Sequence, residues 1–270
     1  MKNLLLSFFC IISLSASAQY TRDSILVPYT SSASPTWKCL VYKRNNYPVA
    51  NYKYPLLVFL HGAGEAGSNL SRIYTNSGSG GAPYFIEQGL FPNSFTVNGQ
   101  THEFIVIAPQ GTGWGPNGTQ TDFVLRHVVP LYNIDTNRIY VYGLSAGGAG
   151  TVEYIAGLNP SQSDTNLVVR WKAAAAVPHA PATNAPAATW GQKIVNDSVR
   201  VWAFGDPESD IHGTRGQQIV NSINAAKASF ARFTNTNAGH SAFNTQFNPT
   251  YTENINGTNI NIYQWMLQYS

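Results

Sequence analysis

A serine flanked by glycines is the first group in this chain whose type and spacing could do chemistry. Ser145 stands in Gly143-Leu144-Ser145-Ala146-Gly147, which follows an apolar run and precedes helix-compatible sequence. A sharp strand-to-helix turn needs small neighbours, because the strand and the helix pack closely there. Such a turn raises the hydroxyl beside N–H groups at a helix start, which stabilise negative charge. The segment predicts a serine nucleophile, and a glycine-rich turn that merely contains a serine is the alternative.

His240 is the candidate base for this serine. It lies between small residues in a late loop, far downstream of Ser145 and beyond the last predicted strand. The chain order nucleophile, acid, histidine is typical of hydrolytic triads on open α/β sheets. The other histidines are expected to be solvated or hydrogen-bonded residues. They stand at positions 61, 102, 127, 179 and 212.

Three carboxylates compete for the acid of such a triad, and the sequence does not choose among them. Asp206, Glu208 and Asp210 all follow the predicted strand 199–204. One of them should orient the imidazole, while the others are solvated or cap a helix. Asp206 has a favourable distance along the chain to the histidine, and Glu208 matches a Gly-x-x-acid spacing. Asp210 is the more usual residue type, after a one-residue insertion.

A second glycine-rich turn can supply hydrogen-bond donors. The predicted strand 56–60 runs into the segment 61–67, which contains three glycines. Acyl transfer needs two N–H donors for the developing oxyanion, one after the nucleophile and one from this first strand-to-helix loop. We assign these donors to Ala146 and Ala63. His61 is expected to order the loop by hydrogen bonding, since a base must reach the serine rather than the oxyanion side.

Alternating strands and helices must position these turns. Nearly continuous apolar runs predict strands that are buried on both faces, with helical patterns between them. The predicted strands are 24–27, 37–42, 56–60, 104–108, 139–142, 171–177 and 199–204. The predicted helices are 122–133, 149–158, 216–228 and 261–269. This alternation indicates an α/β fold with a doubly wound, mostly parallel sheet, in which the first two strands form an antiparallel leader.

Long loops follow the parallel strands, at 62–82, 110–121 and 178–190. In open α/β sheets the carboxyl ends of the strands hold the functional site. Aromatic residues that we assign to loops near these ends could hold an aromatic acyl group or a sugar, and Trp114 is the preferred candidate for substrate binding. Ordinary packing is the alternative for each of these residues. The candidates are Tyr84, Phe85, Trp114 and Trp190.

Residues 1–18 have the features of a cleaved export signal. Lys2 precedes an apolar stretch too short to span a bilayer, and Ala16-Ser17-Ala18 forms a small-x-small cleavage site. We therefore expect a mature single domain, 19–270, in the periplasm or the medium. Cys10 would leave with the signal, so no disulfide is expected at the remaining cysteine, position 39.

Composition argues against several other classes of function. The chain has a formal charge of +3, and loss of Lys2 would lower it to +2, too little for an electrostatic nucleic-acid footprint. Only 11% of residues are charged, and Ser, Thr and Asn supply much of the remaining polarity. No Cys/His spacing resembles a zinc site, and no later segment is apolar enough to cross a membrane. No metal or organic cofactor is expected.

The blocks that carry these residues together resemble the carbohydrate-esterase family of feruloyl esterases, acetyl xylan esterases and related poly(3-hydroxybutyrate) depolymerases. The blocks are 54–65, 105–110, 132–135, 138–148, 201–204, 239–240 and 262–265. The resemblance covers most of the chain after residue 18 and implies an α/β-hydrolase fold with a Ser–His–acid triad. The family usually has Arg where Ala66 stands and Met where Ala146 stands, which alters the pocket lining. Its His-Gly before Gly205 is missing, which leaves the position of the acid open.

The sequence thus predicts an exported serine esterase that acts on plant cell-wall polysaccharide through an acyl-enzyme. Its expected partner is a decorated polysaccharide or its oligosaccharides, with neither nucleic acid nor membrane involved. A polyester depolymerase is the alternative within esterases. A serine peptidase, which would usually carry an additional domain, and a non-catalytic carbohydrate-binding protein are the alternatives from other classes.

Overall fold

A computed structural model describes residues 19–28, 36–158 and 168–270, so the predicted export signal lies outside the described residues. The strands are β1 (Tyr20–Pro28), β2 (Thr36–Arg44), β3 (Tyr54–Leu60), β4 (Phe95–Val97), β5 (Gln100–His102), β6 (Ile105–Gln110), β7 (Ile134–Leu144), β8 (Ala175–His179), β9 (Arg200–Gly205), β10 (Ala231–Asn235), β11 (Glu253–Ile255) and β12 (Thr258–Ile260). The helices are α1 (Ser71–Thr75), α2 (Ala82–Glu87), α3 (Gly118–Val128), α4 (Ala146–Ala156), α5 (Ala188–Asn196), α6 (Ile211–Ala226), α7 (Phe243–Gln246) and α8 (Ile262–Met266). Short 3₁₀ turns occupy Ala63–Glu65 and Val129–Leu131. None of the helices in these ranges has the length and apolarity to span a membrane.

The core of the molecule is an eight-stranded sheet in the order β1-β2-β6-β3-β7-β8-β9-β10. The first two strands pair antiparallel, and β2 joins β6 antiparallel. From β6 onward every neighbouring pair is parallel. The predicted α/β class, with a mostly parallel doubly wound sheet and an antiparallel leader, is therefore confirmed.

Two hydrophobic layers cover the faces of this sheet. Along β3, Leu56, Val58 and Leu60 point to one face, while Leu57 and Phe59 point to the other. The first face forms an aliphatic layer under α3, α4, α5 and α6. The second forms an aromatic layer under α1, α2, α7, α8 and the β4–β5 hairpin. Burial of each such side chain stabilises the fold by about 1.5–3 kcal/mol, so both layers hold the sheet rigid.

Three elements near the site differ from the sequence prediction. The predicted strand 171–177 is strand only from Ala175, because residues 168–174 form bends and loop before the sheet. The edge strand β10 was not predicted, since it is half-buried and carries Arg232 and Thr234 rather than a continuous apolar run. Helix α5 was also missed, and its first residues fall in the predicted loop 178–190.

The carboxyl ends of the parallel strands gather the residues singled out by the sequence. The first glycine-rich turn follows β3, and the Ser145 turn follows β7. The three candidate acids follow β9, and the loop with His240 follows the unpredicted β10. Because parallel strands end at one edge of the sheet, these turns lie side by side.

Candidate active site

Ser145 occupies a strained turn between β7 and α4. Its backbone lies at φ 52° and ψ −116°, a region that residues with a side chain rarely adopt. A Cβ at Gly147 would collide with the carbonyl of Leu60, and one at Gly143 would lie 2.6 Å from the same oxygen. The Ser145 N–H donates to the carbonyl of His179 at 2.9 Å. Close backbone packing therefore fixes the turn and requires glycine at both flanking positions.

The Ser145 hydroxyl, the His240 imidazole and the Asp210 carboxylate form one hydrogen-bonded line. His240 Nε2 lies 2.9 Å from Ser145 Oγ, and His240 Nδ1 lies 2.8 Å from Asp210 Oδ2. Asp210 is also the N-cap of α6, because its Oδ1 accepts the N–H of His212 at 3.0 Å. The start of the helix thus orients the carboxylate that contacts the histidine.

The other two candidate acids do not contact His240. Asp206 is buried and accepts hydrogen bonds from the backbone of its own loop and from Gly239. Glu208 is exposed, and its backbone N–H is one of the donors to Asp206. Of the three carboxylates left open by the sequence, the structure brings Asp210 alone to the imidazole.

Ala63 and Ala146 each begin a helical turn beside the serine. Ala63 is the first residue of the 3₁₀ turn after β3, and Ala146 is the first residue of α4. The first N–H groups of a helix have no intrahelical acceptor, so both are available to an oxyanion. The loop after β6 packs on both turns. A Cβ at Gly115 would lie 2.6 Å from the carbonyl oxygen of His61 and 2.8 Å from the Gly147 nitrogen.

His61 is fully buried and joins two loops instead of reaching Ser145. Its Nε2 accepts the N–H of Gly111 at 3.0 Å, and its Nδ1 lies 2.6 Å from the carbonyl oxygen of Gly62. These contacts fit a neutral ring that donates from Nδ1 and accepts at Nε2. Burial lowers the pKa of His61 to about 4, so the ring is neutral at neutral pH.

A cavity of about 410 Å³ opens onto Ser145. One end is polar, where the Asn76 amide donates to the buried carboxylate of Glu65, whose pKa is raised by burial. Leu144 and Phe243 supply apolar wall. The His240 side chain is 38% exposed, so the imidazole beside this cavity is accessible to solvent.

Trp114 is the only one of the four predicted aromatic candidates that lies in a loop. Its residue surface is 55% exposed, and the following Gly115 packs on the serine turn. Tyr84 and Phe85 instead belong to α2 and pack in the aromatic layer. Trp190 belongs to α5 and packs against the aliphatic layer. The loop assignment of these last three residues was therefore wrong.

His179 links the serine turn to the His240 side of the site, a role that the sequence analysis did not assign to it. It is fully buried at the end of β8, where its carbonyl accepts the Ser145 N–H. Its Nε2 lies 3.1 Å from Gln246 Oε1, and its ring meets Phe243 edge-on at 4.7 Å. Burial lowers the pKa of His179 to about 4. Its position two residues after the predicted strand 171–177 was the available signal.

His212 is a second titratable neighbour of the line. Its ring centroid lies 4.9 Å from that of His240, and burial lowers its pKa. One ligand atom each from Asp210, His212 and His240 lie within 4.8 Å of one another, which is compatible with a metal ion. Binding of such an ion would compete with the bond between Asp210 and His240.

Comparisons with known proteins define the fold. Neither a protein-family profile nor a curated protein matches the chain significantly. A thermostable esterase of known structure aligns with 21% identity and TM-score 0.60, over 92% of this chain and 63% of its own. A ferulic acid esterase aligns with 16% identity and TM-score 0.57, over 82% and 91%. The feruloyl esterase module from Clostridium thermocellum complexed with sinapinate aligns with 14% identity and TM-score 0.58, over 86% and 87%. The chain thus spans less than two thirds of the thermostable esterase and has the α/β-hydrolase fold.

Proposed function

We propose that the protein is a serine esterase in which Ser145, His240 and Asp210 act as the catalytic triad. The observation that carries this proposal is the continuous hydrogen-bonded line from Ser145 Oγ through the His240 ring to Asp210 Oδ2. A hydroxyl, an imidazole and a carboxylate in this order are the requirements for nucleophilic attack on an acyl carbon. The esterases with similar folds support the same reaction class.

In the first step, Ser145 Oγ attacks the ester carbonyl while His240 Nε2 accepts the hydroxyl proton. Asp210 holds the ring so that Nδ1 keeps its proton, and it stabilises the imidazolium that forms. The N–H groups of Ala63 and Ala146 bind the oxyanion of the tetrahedral intermediate. His240 then donates its proton to the leaving alcohol, and an acyl-enzyme remains.

In the second step, a water molecule attacks the acyl-enzyme. His240 accepts a proton from this water, and the same two N–H groups stabilise the second oxyanion. Collapse of the intermediate returns the proton to Ser145 Oγ and releases the acid. The His240 side chain is 38% exposed, which gives water access to this position.

Replacement of the nucleophile tests the proposal directly. We expect the wild-type protein to hydrolyse p-nitrophenyl acetate and to be labelled by a fluorophosphonate, and Ser145→Ala to lose both properties. The drop in kcat should be on the order of 10⁴-fold or more, because no covalent intermediate can form. Ser68→Ala, at an exposed serine elsewhere, serves as the matched control and should keep both. Wild-type levels of hydrolysis in Ser145→Ala would rule the triad out.

We further propose that the substrate is an ester carried on plant cell-wall polysaccharide, of the feruloyl or acetyl xylan type. The open site suits an ester that projects from a large polymer, since His240 is not enclosed. The exposed ring of Trp114, on a loop packed against the serine turn, offers a face on which a sugar can stack. The ferulic acid and feruloyl esterases of similar fold support the same substrate class.

A comparison of natural substrates tests this specificity. Release of ferulate, acetate and 3-hydroxybutyrate would be measured from feruloylated xylan, acetylated xylan and poly(3-hydroxybutyrate). Trp114→Ala should raise KM by about 3- to 10-fold on feruloylated oligosaccharide, with little change on methyl ferulate. Fastest release of 3-hydroxybutyrate would favour the polyester alternative instead, and turnover of peptides would favour the peptidase.

Export would bring the enzyme to such a polymer, and we propose that residues 1–18 direct it. The sequence of this segment, with Ala16-Ser17-Ala18 before Gln19, supports cleavage at that point. Mass spectrometry of the protein recovered from the medium or periplasm should give a mature chain that begins at Gln19. An intact Met1 in the active protein would contradict this.

A further inference from the structure

The Asp206 carboxylate is buried and stands four residues before Asp210, the proposed triad acid. Both of its oxygens accept hydrogen bonds. Its Oδ1 accepts the backbone N–H groups of Glu208 at 3.1 Å and Ser209 at 3.3 Å. Its Oδ2 accepts the Ser209 hydroxyl at 2.5 Å and the Gly239 N–H at 2.9 Å. The last of these bonds crosses from the loop after β9 to the loop after β10.

This bond between the two loops links the backbone next to His240 to the backbone that carries Asp210. Gly239 directly precedes His240, and the backbone carbonyl of Asp206 accepts the Asp210 N–H at 2.9 Å. Asp206 therefore binds the N–H of Gly239, beside the histidine, through its carboxylate. It binds the N–H of Asp210 through its backbone carbonyl. The distance between His240 Nδ1 and Asp210 Oδ2 depends on both links.

The loop that carries His240 needs such a support, because regular secondary structure does not hold it. Its backbone takes positive φ at Asn237, Gly239 and Ala242, at 50°, 59° and 62°. The Thr236 N–H donates to the carbonyl of Gly205 at the start of the loop. The Asn237 N–H donates within the loop, to Asn235 Oδ1, whereas the Gly239 N–H donates to Asp206 in the loop after β9, one residue before the imidazole.

We infer that Asp206 is a positioning residue, which holds His240 at bonding distance from Asp210 and Ser145 by binding the Gly239 N–H. This inference rests on the proposed esterase function and assigns no contact between Asp206 and the substrate. Displacement of a catalytic group by about 1 Å can cost on the order of 10²-fold in rate. The bond between Asp206 and Gly239 prevents such a displacement.

The charge of Asp206 suits this role. Donation from the Ser209 hydroxyl and the Gly239 N–H lowers the pKa of Asp206, so the carboxylate is ionised at neutral pH. Asparagine has the same shape but one donor group. If its oxygen keeps the N–H groups of Glu208 and Ser209, its amide nitrogen faces the Gly239 N–H, and donor opposes donor. Asp206→Asn therefore breaks the crossing bond while it preserves the loop after β9.

The test compares Asp206→Asn with Glu208→Gln, which removes the same charge from an exposed position in the same loop. Activity on p-nitrophenyl acetate is expressed per serine labelled by fluorophosphonate, so unfolded molecules do not enter the rate. We expect Asp206→Asn to lower kcat by about 10- to 100-fold with KM changed by about twofold or less. Glu208→Gln should match the wild type.

A spectroscopic measurement separates positioning from general destabilisation. The proton between His240 Nδ1 and Asp210 should give a low-field ¹H NMR signal in the wild type and in Glu208→Gln. In Asp206→Asn this signal should shift upfield or broaden, at a temperature where near-ultraviolet circular dichroism shows a folded protein. An unchanged signal, or a kcat within about twofold of Glu208→Gln, would overturn the inference.

Wild-type protein decides the question if Asp206→Asn does not fold. The Gly239 amide should exchange slowly with deuterium although its loop is irregular, because it donates to a buried carboxylate. Exchange at the rate of an unprotected loop amide would overturn the inference. Failure of the proposed function gives a different result, since the wild type itself would then resist fluorophosphonate and leave the ester intact.

Discussion

Ser145 Oγ and His240 Nε2 lie 2.9 Å apart, but different interactions hold the backbone of each residue in place. The serine turn is wedged between β7, α4 and the end of β3, with glycines at 143 and 147 where a Cβ would collide with backbone. The histidine loop follows an edge strand and is tied by the carboxylates of Asp206 and Asp210. Close packing of the main chain positions the proposed nucleophile, whereas side-chain hydrogen bonds position the proposed base.

This difference has a consequence for tolerance to change. Where backbone contacts fix a residue, one added methyl group can prevent the local conformation altogether, because the clash cannot be relieved without moving a strand or a helix. Where hydrogen bonds fix a residue, loss of one bond weakens its positioning only in part, since the other bonds remain in place. Substitutions at the glycines of the serine turn should therefore affect folding, and substitutions at the carboxylates that bind the histidine loop should affect rate.

The largest effect is expected from Gly147→Ala. Its added methyl group would meet the carbonyl oxygens of Leu60 and His61 inside the sheet edge, so the serine turn cannot form without moving β3. We expect loss of soluble folded protein, or a fold in which fluorophosphonate labelling of Ser145 is abolished. Gly113→Ala is the matched control, because a Cβ there meets nothing within 4 Å. A soluble, fully labelled Gly147→Ala protein would contradict the packing argument.

A large effect on rate, with little effect on stability, is expected from Asp210→Asn. The asparagine oxygen can still accept the His212 N–H and cap α6, but the side chain no longer stabilises the imidazolium. We expect kcat to fall by about 10³- to 10⁴-fold and the unfolding free energy to change by less than about 1 kcal/mol. Kinetics and urea unfolding of the same preparation measure the two quantities. If Glu208→Gln lost as much activity, the assignment of the acid would be wrong.

A smaller, pH-dependent effect should arise from the buried histidines on the serine side. His61 and His179 have a pKa of about 4 in the fold, against 6.5 for the ordinary group. Between pH 6.5 and 4 the unfolded chain binds protons that the folded protein does not. The unfolding free energy should therefore fall as the pH falls through this window, by up to about 3 kcal/mol for each histidine.

Urea unfolding at pH 7 and at pH 4.5 checks this dependence. His179→Gln removes one of these groups, so its unfolding free energy should fall less than that of the wild type over the same interval. An equal pH dependence in the variant and the wild type would show that the acid sensitivity has another source. Carboxylates with a lowered pKa, such as Asp206 and Asp197, affect the pH dependence of stability only below this window. The stability that they add is lost only under more acidic conditions.

The same contrast explains how much the sequence could predict. Small residues at 143 and 147 report a close approach directly, and the apolar runs of β3, β6 and β7 identify buried strands. These local patterns predicted the sheet class and the place of the serine turn. The half-buried β10 gave no such pattern, because its residues need cover only one edge of the sheet.

The proposed triad acid could not be chosen from the sequence, because loop conformation and not residue type decides which carboxylate contacts His240. Asp206, Glu208 and Asp210 have similar chemistry and stand two residues apart. The N–H groups of residues 208 and 209 turn the first carboxylate into the loop, and the start of α6 turns the third toward His240. A chain of three-dimensional contacts makes that selection, and no spacing rule encodes it.

The backbone of Ser145 carries a final consequence for evolution and design. At φ 52° and ψ −116° a residue with a side chain costs about 1–3 kcal/mol, a strain that glycine would relieve. The same site would thus be more stable without the hydroxyl that we propose as its nucleophile. Selection for thermostability alone should favour Gly at this position. A design for higher stability must therefore retain the proposed nucleophile deliberately.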